Sequence, residues 1–286
     1  MKYRIRILPH YHLKQKPHQL RCITPSRDYT PELFFKRNFL VVPSGRWGIS
    51  AILKKLRLKT EDEVYISTSS GSPYVTSCVT CTIFNHCKPS RVLSNITKVI
   101  FIIHEFGIPD PETVHLLNSA KSKGIVVIED CAHTFDSKLN GQLVGTFGDY
   151  TVYSLTKIFP MAEGGIITGS TLDFPELNDL EPGRIESIKE DFATYLPYLP
   201  EFSKIRRRNF SYLRDKFGGD FLTNEITPYL FPLKLKKDVL QFVARMDEKG
   251  VECGVWYGKG AVLLPIHPML DEDDLDYMVK VIKSLY

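Results

Sequence analysis

Four places in the chain hold residues whose types could do chemistry, and each sits where an apolar run meets a turn or a helical pattern. The run IVVIE (125 to 129) leads straight into Asp130, followed by Cys131, Ala132 and His133. In an open parallel sheet, ligands bind outside the carboxyl ends of the strands. A carboxylate there can ligate a metal, pair with a base, or hold a proton on a cofactor's ring nitrogen. In YSLTK, Lys157 follows Ser154 and Thr156 and precedes IFPMAEGG. A solvated lysine does nothing, but burial beside a Gly pair lowers its pKa and favours the neutral amine that forms a Schiff base. PSGRWGIS (43 to 50) is a Gly-containing turn between a strand and a helix; its free amides and positive helix end suit a phosphate, and Arg46 adds charge. SSGSPY (69 to 74) is a loop that delivers Tyr74 to a helix start, either as a core residue or as a stacking platform.

These residues need a frame. Short apolar runs alternate with amphipathic stretches between about 38 and 168, the pattern of strands joined by crossover helices. The expected strands are 38 to 42, 63 to 67, 98 to 103, 125 to 129, 150 to 154 and 165 to 169, with helices over 46 to 57, 73 to 84, 110 to 123 and 173 to 191. That is an α/β unit with a mostly parallel sheet and helices on both faces. Pro-containing sequence at 194 to 202 interrupts the pattern before a basic helix, 204 to 217, and marks the expected domain change. Strand 227 to 235, helix 237 to 249, strand 251 to 257 and helix 271 to 285 then form a small α+β unit. The division is an N-terminal arm (1 to 30), a large domain (31 to 200) and a small domain (201 to 286).

Composition narrows the function. The 286 residues are 43% hydrophobic and 24% charged, as in ordinary globular proteins. Lys and Arg number 37 against 33 Asp and Glu, a balance too even to point to nucleic acid as partner. The arm is locally basic: Lys2, Arg4, Arg6, Lys14, Lys16, Arg21 and Arg27 precede the first acid, Asp28, so it reads as a solvated or subunit-covering segment. No apolar run reaches the roughly 18 residues of a membrane span, and KYRIRIL is no signal peptide, so the expected location is the cytoplasm. Six cysteines in a chain this long fit a reducing compartment. Cys78, Cys81, His86 and Cys87 lack a second ligand pair at finger spacing, so Cys78 and Cys81 read as neighbours on a buried helix face. Asp271 to Asp274 read as acids complementing a helix start.

An acid, a lysine, a phosphate cradle and an aromatic ring are the parts of a pyridoxal phosphate site. Their order can be checked. PSGRWGISAIL, Tyr74 to Ser77, FIIHEFGIP, VVIEDCAHTF, GTFGDYTVYSLTKIFPMAEGGIITG and VLLPIHPMLDEDDLDYMVKVI resemble the successive blocks of the DegT/DnrJ/EryC1/StrS family of sugar aminotransferases, over about residues 38 to 282. The resemblance implies the pyridoxal-phosphate-dependent transferase fold type I, with a seven-stranded sheet. It implies a cofactor held covalently by Lys157, which also carries protons, and a pyridine nitrogen kept protonated by Asp130. His133 would stand beside the cofactor, Tyr74 would stack on it, and Gly45, Arg46, Trp47 and Ser154 would meet it at its phosphate. An amino acid, glutamate, would give the amino group and a keto sugar, usually nucleotide-linked, would take it.

Departures from the family are specific. The chain is shorter than typical members, the Gly-Asn-Arg-Met type segment after the Gly pair has no counterpart between 170 and 200, and Ser154 stands only three residues ahead of Lys157. The family's sugar dehydratases, with histidine in place of the lysine, are one rival reading, against which Lys157 argues. A cofactor-free binding or regulatory scaffold is the other. The resemblance also implies a homodimer, which the basic arm would be free to embrace. Lys204, Arg206, Arg207 and Arg208 read as an exposed helix face, or as a patch that steers a diphosphate substrate.

Overall fold

The alternation of branched apolar residues with helical spacing produces a three-layer arrangement in the computed structural model, which describes residues 4–26, 29–220, 222–236 and 238–285. Lys2, Arg27 and Asp28 of the basic arm lie outside the described residues. Short helices α1 (Pro9–Gln15), α2 (His18–Arg21) and α3 (Pro31–Phe34) lead into the first long alternation. It runs β1 (Phe39–Val42), α4 (Gly45–Lys55), β2 (Glu63–Thr68), α5 (Ser77–Phe84), β3 (Lys88–Ser90), β4 (Thr97–Ile103), α6 (Thr113–Lys123) and β5 (Val126–Asp130). A small hairpin, β6 (Lys138–Leu139) and β7 (Gln142–Leu143), precedes β8 (Tyr150–Ser154), α7 (Leu155–Ile158) and β9 (Gly165–Gly169).

Seven strands form one sheet in the order β1-β9-β8-β5-β4-β2-β3. Only β9 runs against its neighbours; the other six are parallel to one another, as expected of a mostly parallel seven-stranded sheet. Both faces are covered. Along β4, Val99, Phe101 and Ile103 share a core with Ile49, Ile52 and Leu53 of α4, while Ile100 and Ile102 meet Leu116 and Ala120 of α6 on the opposite face. The third-residue strand β3 has the sequence KPS and no alternation, so nothing in the chain announces it.

The start of α4 is seated closely on β8 and β9. Ser44 caps the helix by accepting from the Trp47 amide at 3.1 Å, and the Gly164 amide donates to the Pro43 carbonyl at 2.8 Å. A Cβ on Gly165 would stand 2.6 Å from the Gly45 nitrogen, so the second glycine of the pair lets the helix end reach the sheet. This places the free amides of the first turn beside the end of β8.

After β9, the helix expected over 173 to 191 is instead a 3-10 turn at Pro175–Asp179 followed by α8 (Arg184–Tyr195). The Pro-containing stretch is not an interruption. It forms a 3-10 turn at Leu196–Tyr198 and the first turn of α9 (Leu199–Phe217), where Pro200 sacrifices no intrahelical bond. Leu199 and Phe202 of α9 belong to the core around β8 and β9, whereas Phe210 and Leu213 belong to a second core. That core is built by β10 (Leu230–Lys234), α10 (Val239–Glu248), β11 (Gly254–Trp256), β12 (Ala261–Pro265) and α11 (Glu272–Leu285), the strands forming an antiparallel sheet in the order β10-β12-β11. No described helix is long and apolar enough to cross a membrane.

The arm is folded onto its own chain, although Lys14 and Arg21 remain exposed. Ile5 is fully buried and pairs with Val251, its amide donating to Gly250 and its carbonyl accepting from Glu252. Arg4 pairs with Asp247, and Lys16 reaches Asp271 at 2.6 Å and Asp274 at 3.0 Å. Asp271 and Asp274 also accept each other's amides, a reciprocal cap on α11. The acids therefore serve both as cap and as the arm's seat.

Because Gly165 has backbone on the side where a Cβ would project, Gly165→Ala is expected to destabilise the fold by about 2–4 kcal/mol. Urea unfolding measures this, with Lys121→Ala on the exposed face of α6, expected within about 0.5 kcal/mol of the parent, as control.

Candidate functional site

The carboxyl ends of β5 and β8, the start of α4, the residues after β4 and the loop before α5 enclose a cleft of about 500 Å3. Gly45, Arg46, Tyr74, Asp130, His133, Ser154 and Lys157 all line it. Trp47 does not. Successive residues on a helix turn by about 100°, so with Arg46 on the cleft the half-buried Trp47 packs against the core that includes Val42, Ile49 and Val152.

Asp130 ends β5 and is 5% exposed. Its Oδ1 accepts from the Ala132 amide at 2.9 Å, while Oδ2 has no donor among the described residues. Burial raises its pKa, and Lys157, the Ala132 amide and His104 each pull it back down. The result is a carboxylate short of a positive partner on one oxygen. Behind it, Glu129 accepts from the amides of Gly145, Phe147 and Gly148 and from His104 Nε2, which fixes the turn ahead of β8. His104, Glu129 and Cys131 are the one group among the described residues with possible metal-ligand atoms close together, but the carboxylate's lone pairs are committed to these four donors.

Lys157, on the single turn α7, sends Nζ to within 3.0 Å of His133 Nε2. The imidazole's other nitrogen, Nδ1, accepts from the Phe106 amide at 3.1 Å. A neutral imidazole carries one proton, and an acceptor Nδ1 puts it on Nε2. Nε2 then donates, so the Lys157 amine must accept and is neutral. Burial acts in the same direction: it lowers the Lys157 pKa against the pull of Asp130, and it holds His133 well below the ordinary histidine range.

At the opposite end of the cleft, the first-turn amides of α4 have no intrahelical acceptor. Arg46 lies beside them, donating to Cys78 Sγ at 3.1 Å, and Ser154 and Thr156 hydroxyls stand 3.4 Å apart. These donors suit a dianion. Cys78 and Cys81 are both exposed rather than buried on a helix face, and Cys78 lines the cleft. The mouth is aromatic: Tyr74, 45% exposed, meets Tyr257 with ring centroids 4.5 Å apart.

Several lining residues gave no signal in the sequence. Phe106 has a left-handed backbone, φ 55°, that turns its amide to His133. Trp256 and Tyr257 come from β11 and the turn after it, far along the chain, and only the fold brings them to the cleft. Of the basic cluster on α9, Lys204 and Arg208 are exposed, but Arg206 is 1% exposed and lies behind the site. The expectation of a uniformly solvated face fails there because the helix turns that position toward α7 and Tyr229.

Comparison with known proteins follows the same lines. Residues 85–176 match the model of the DegT/DnrJ/EryC1/StrS aminotransferase family, a stretch containing Asp130, His133, Ser154 and Lys157. GDP-perosamine synthase of Escherichia coli O157:H7 is 42% identical over 78 residues, covering 26% of this chain and 21% of that protein. The chain thus aligns with only a fraction of that relative's length. The structure of Helicobacter pylori PseC, an aminotransferase involved in the biosynthesis of pseudoaminic acid, superposes with a TM-score of 0.71 over 96% of this chain and 95% of that one, at 14% identity. The PLP-form of Streptococcus pneumoniae Spr1654 gives 0.69 over 99% and 98%, at 16% identity. The fold is that of the pyridoxal-phosphate-dependent aminotransferases.

Burial depresses the pKa of His133 and also of His267, the latter 1% exposed. Unfolded, both titrate near the ordinary histidine value of about 6.5. Above that pH neither state binds a proton. Below it only the unfolded chain does, so stability falls as pH drops, by at most about 1.4 kcal/mol per unit per histidine. Thermal melts from pH 8 to pH 5 are expected to show this loss, with a shallower slope in His133→Gln.

Proposed function

We infer that this chain, whose segment 85–176 carries the pattern of the DegT/DnrJ/EryC1/StrS aminotransferase family, is a pyridoxal-phosphate-dependent sugar aminotransferase. Its acceptor is a nucleotide-linked keto sugar and its donor an amino acid, glutamate. The observation that carries this reading is the buried Lys157 amine, 3.0 Å from His133 Nε2, which shares one cleft with a buried carboxylate and with a helix start rich in anion donors.

The residues fit the cofactor. Asp130 Oδ2, without a protein donor, suits a protonated ring nitrogen, and burial makes that proton more welcome. The first turn of α4, Arg46 and Ser154 suit a phosphate at the other end. Bound pyridoxal phosphate supplies an aldehyde and an electron-withdrawing ring that stabilises negative charge at the substrate carbon.

The chain's own groups do the rest. The Lys157 amine is available as nucleophile and as proton carrier once its lone pair leaves the Nε2–H of His133, the contact that orients it at rest. Asp130 holds the ring nitrogen's proton. Tyr74, Trp256 and Tyr257 exclude water from the mouth. His133 lies within hydrogen-bond reach of the reacting amine, so it orients that amine without taking its proton.

Lys157 also separates this reading from a dehydratase that would use the same cofactor without a lysine. A homodimer belongs to the proposal, and sedimentation equilibrium should give about twice 32.8 kDa. The arm, folded onto its own chain, has no part in that expectation.

The test is spectroscopic. Protein mixed with pyridoxal phosphate should show a visible band that Lys157→Ala abolishes and Asp130→Asn shifts, with turnover of a nucleotide-linked keto sugar falling about a hundredfold or more in the latter. A colourless parent protein would remove the reading. Return of the aldehyde spectrum when the amine form meets a panel of nucleotide-linked keto sugars would identify the acceptor.

A further inference from the structure

Behind the cleft, a column of planar groups runs inward from Phe106. Its ring lies 5.5 Å from the His133 ring at an interplanar angle of 15°, and His133 lies 4.7 Å from the Tyr229 ring at 10°. The Arg206 guanidinium carbon stands 5.5 Å from the Tyr229 ring centroid. The Tyr229 amide donates to the Phe106 carbonyl at 2.8 Å, which ties the two ends of the stack together.

Arg206 is an unusual residue to find there. It is 1% exposed, and no carboxylate among the described residues comes within ion-pair distance of it. Its Nη1 donates to the Tyr229 carbonyl at 3.1 Å, and Nη2 donates to the carbonyls of Lys157 at 2.9 Å and Ile158 at 3.4 Å; Nε has no partner. A buried cation whose acid, Asp136, acts on it only from beyond ion-pair distance is destabilising. Helix anchoring alone would be met at lower cost by an uncharged donor, so the charge calls for another explanation.

We propose that Arg206 is a positioning residue for the Lys157 amine: its fork fixes the α7 backbone, and its charge, acting past the Tyr229 ring, keeps His133 in the single-proton form that donates from Nε2 to Lys157. A second proton on His133 would fall on Nδ1, where the Phe106 amide already donates. The charged and titratable groups around His133 are Lys157 on α7, Arg206 on α9 and Tyr229 ahead of β10, with Asp130 and Glu105 on the same cleft. Burial opposes protonation of the imidazole, and the Arg206 charge acts with it. The inference rests on Lys157 being the reacting amine, as in the function proposed above.

The test is made on the full chain without cofactor, labelled with 15N-histidine. Two-bond 1H–15N spectra should show wild-type His133 as the Nε2–H tautomer with no titration through the ordinary histidine range. In Arg206→Gln its midpoint should rise by about one pH unit or more, whereas Arg206→Lys, which keeps the charge, should stay close to wild type. A role confined to anchoring the helix would move neither. The proposal is overturned by an Nδ1–H or doubly protonated His133 in the wild type at pH 7, by an unchanged midpoint in R206Q, or by R206K titrating like an ordinary histidine. Should R206Q not fold, R206K decides alone. A wild type that passes yet gives no visible band with pyridoxal phosphate would remove the proposed function and leave the Arg206 assignment standing.

Discussion

One proton decides the character of the cleft. The Phe106 amide occupies Nδ1 of His133, so the imidazole's single proton lies on Nε2 and is given to Lys157. An ammonium at that position would face a donor rather than an acceptor, and it would also bear the desolvation that burial imposes on any charge. The backbone conformation of Phe106, a non-glycine residue at φ 55°, is therefore functional as well as structural: it aims the amide that sets the tautomer. A strained residue next to a reactive amine is where sequence rules are expected to yield to the site.

With Lys157 neutral, the cleft is electrically two-ended. Asp130 leaves a carboxylate oxygen without a protein donor at one end; the start of α4, Arg46 and the two hydroxyls gather positive potential at the other. A ligand with a protonated nitrogen at one end and a dianion at the other complements both. The two ends are held by different parts of the sheet. Glu129, adjacent to Asp130 on β5, organises the turn before β8, while Gly165 on β9 lets α4 approach. The antiparallel strand β9 thus serves the end of the cleft rich in anion donors rather than merely closing the sheet.

Most of the large unit was legible because its strands are apolar runs of four to seven residues bounded by polar sequence, and because Asp130, Lys157 and the Gly pair stand at their ends. The rest failed for identifiable reasons. β3 is three residues with a proline, too short to carry a period. Pro197 and Pro200 looked like breaks, although at the first positions of a helix proline is compatible with the fold. The segment AVLLP was read as part of a family block rather than as the central strand β12. The resemblance implies Trp47 at the cofactor together with Arg46, whereas neighbours on a helix face different ways. The arm's cations looked unpartnered because Asp247, Asp271 and Asp274 lie more than two hundred residues away in the chain. Arg206 stands in a cluster with the exposed Lys204 and Arg208 and the half-buried Arg207, and no local pattern distinguishes it.

The small sheet completes the cleft rather than standing apart from it. Trp256 packs edge-on against Phe106 at 5.0 Å, Tyr257 meets Tyr74, and Lys259 donates to the Ser70 carbonyl at 2.9 Å. Ser70 in turn donates its amide to Glu105, one residue before Phe106. The loop carrying Tyr74, the turn carrying Phe106 and the end of β11 are therefore a single linked rim. Two of its three contacts to the small sheet are aromatic and open to solvent at their edges, which makes them weak and reversible compared with the cores on either side. The rim that frames the mouth therefore also carries the Phe106 amide that meets His133 Nδ1.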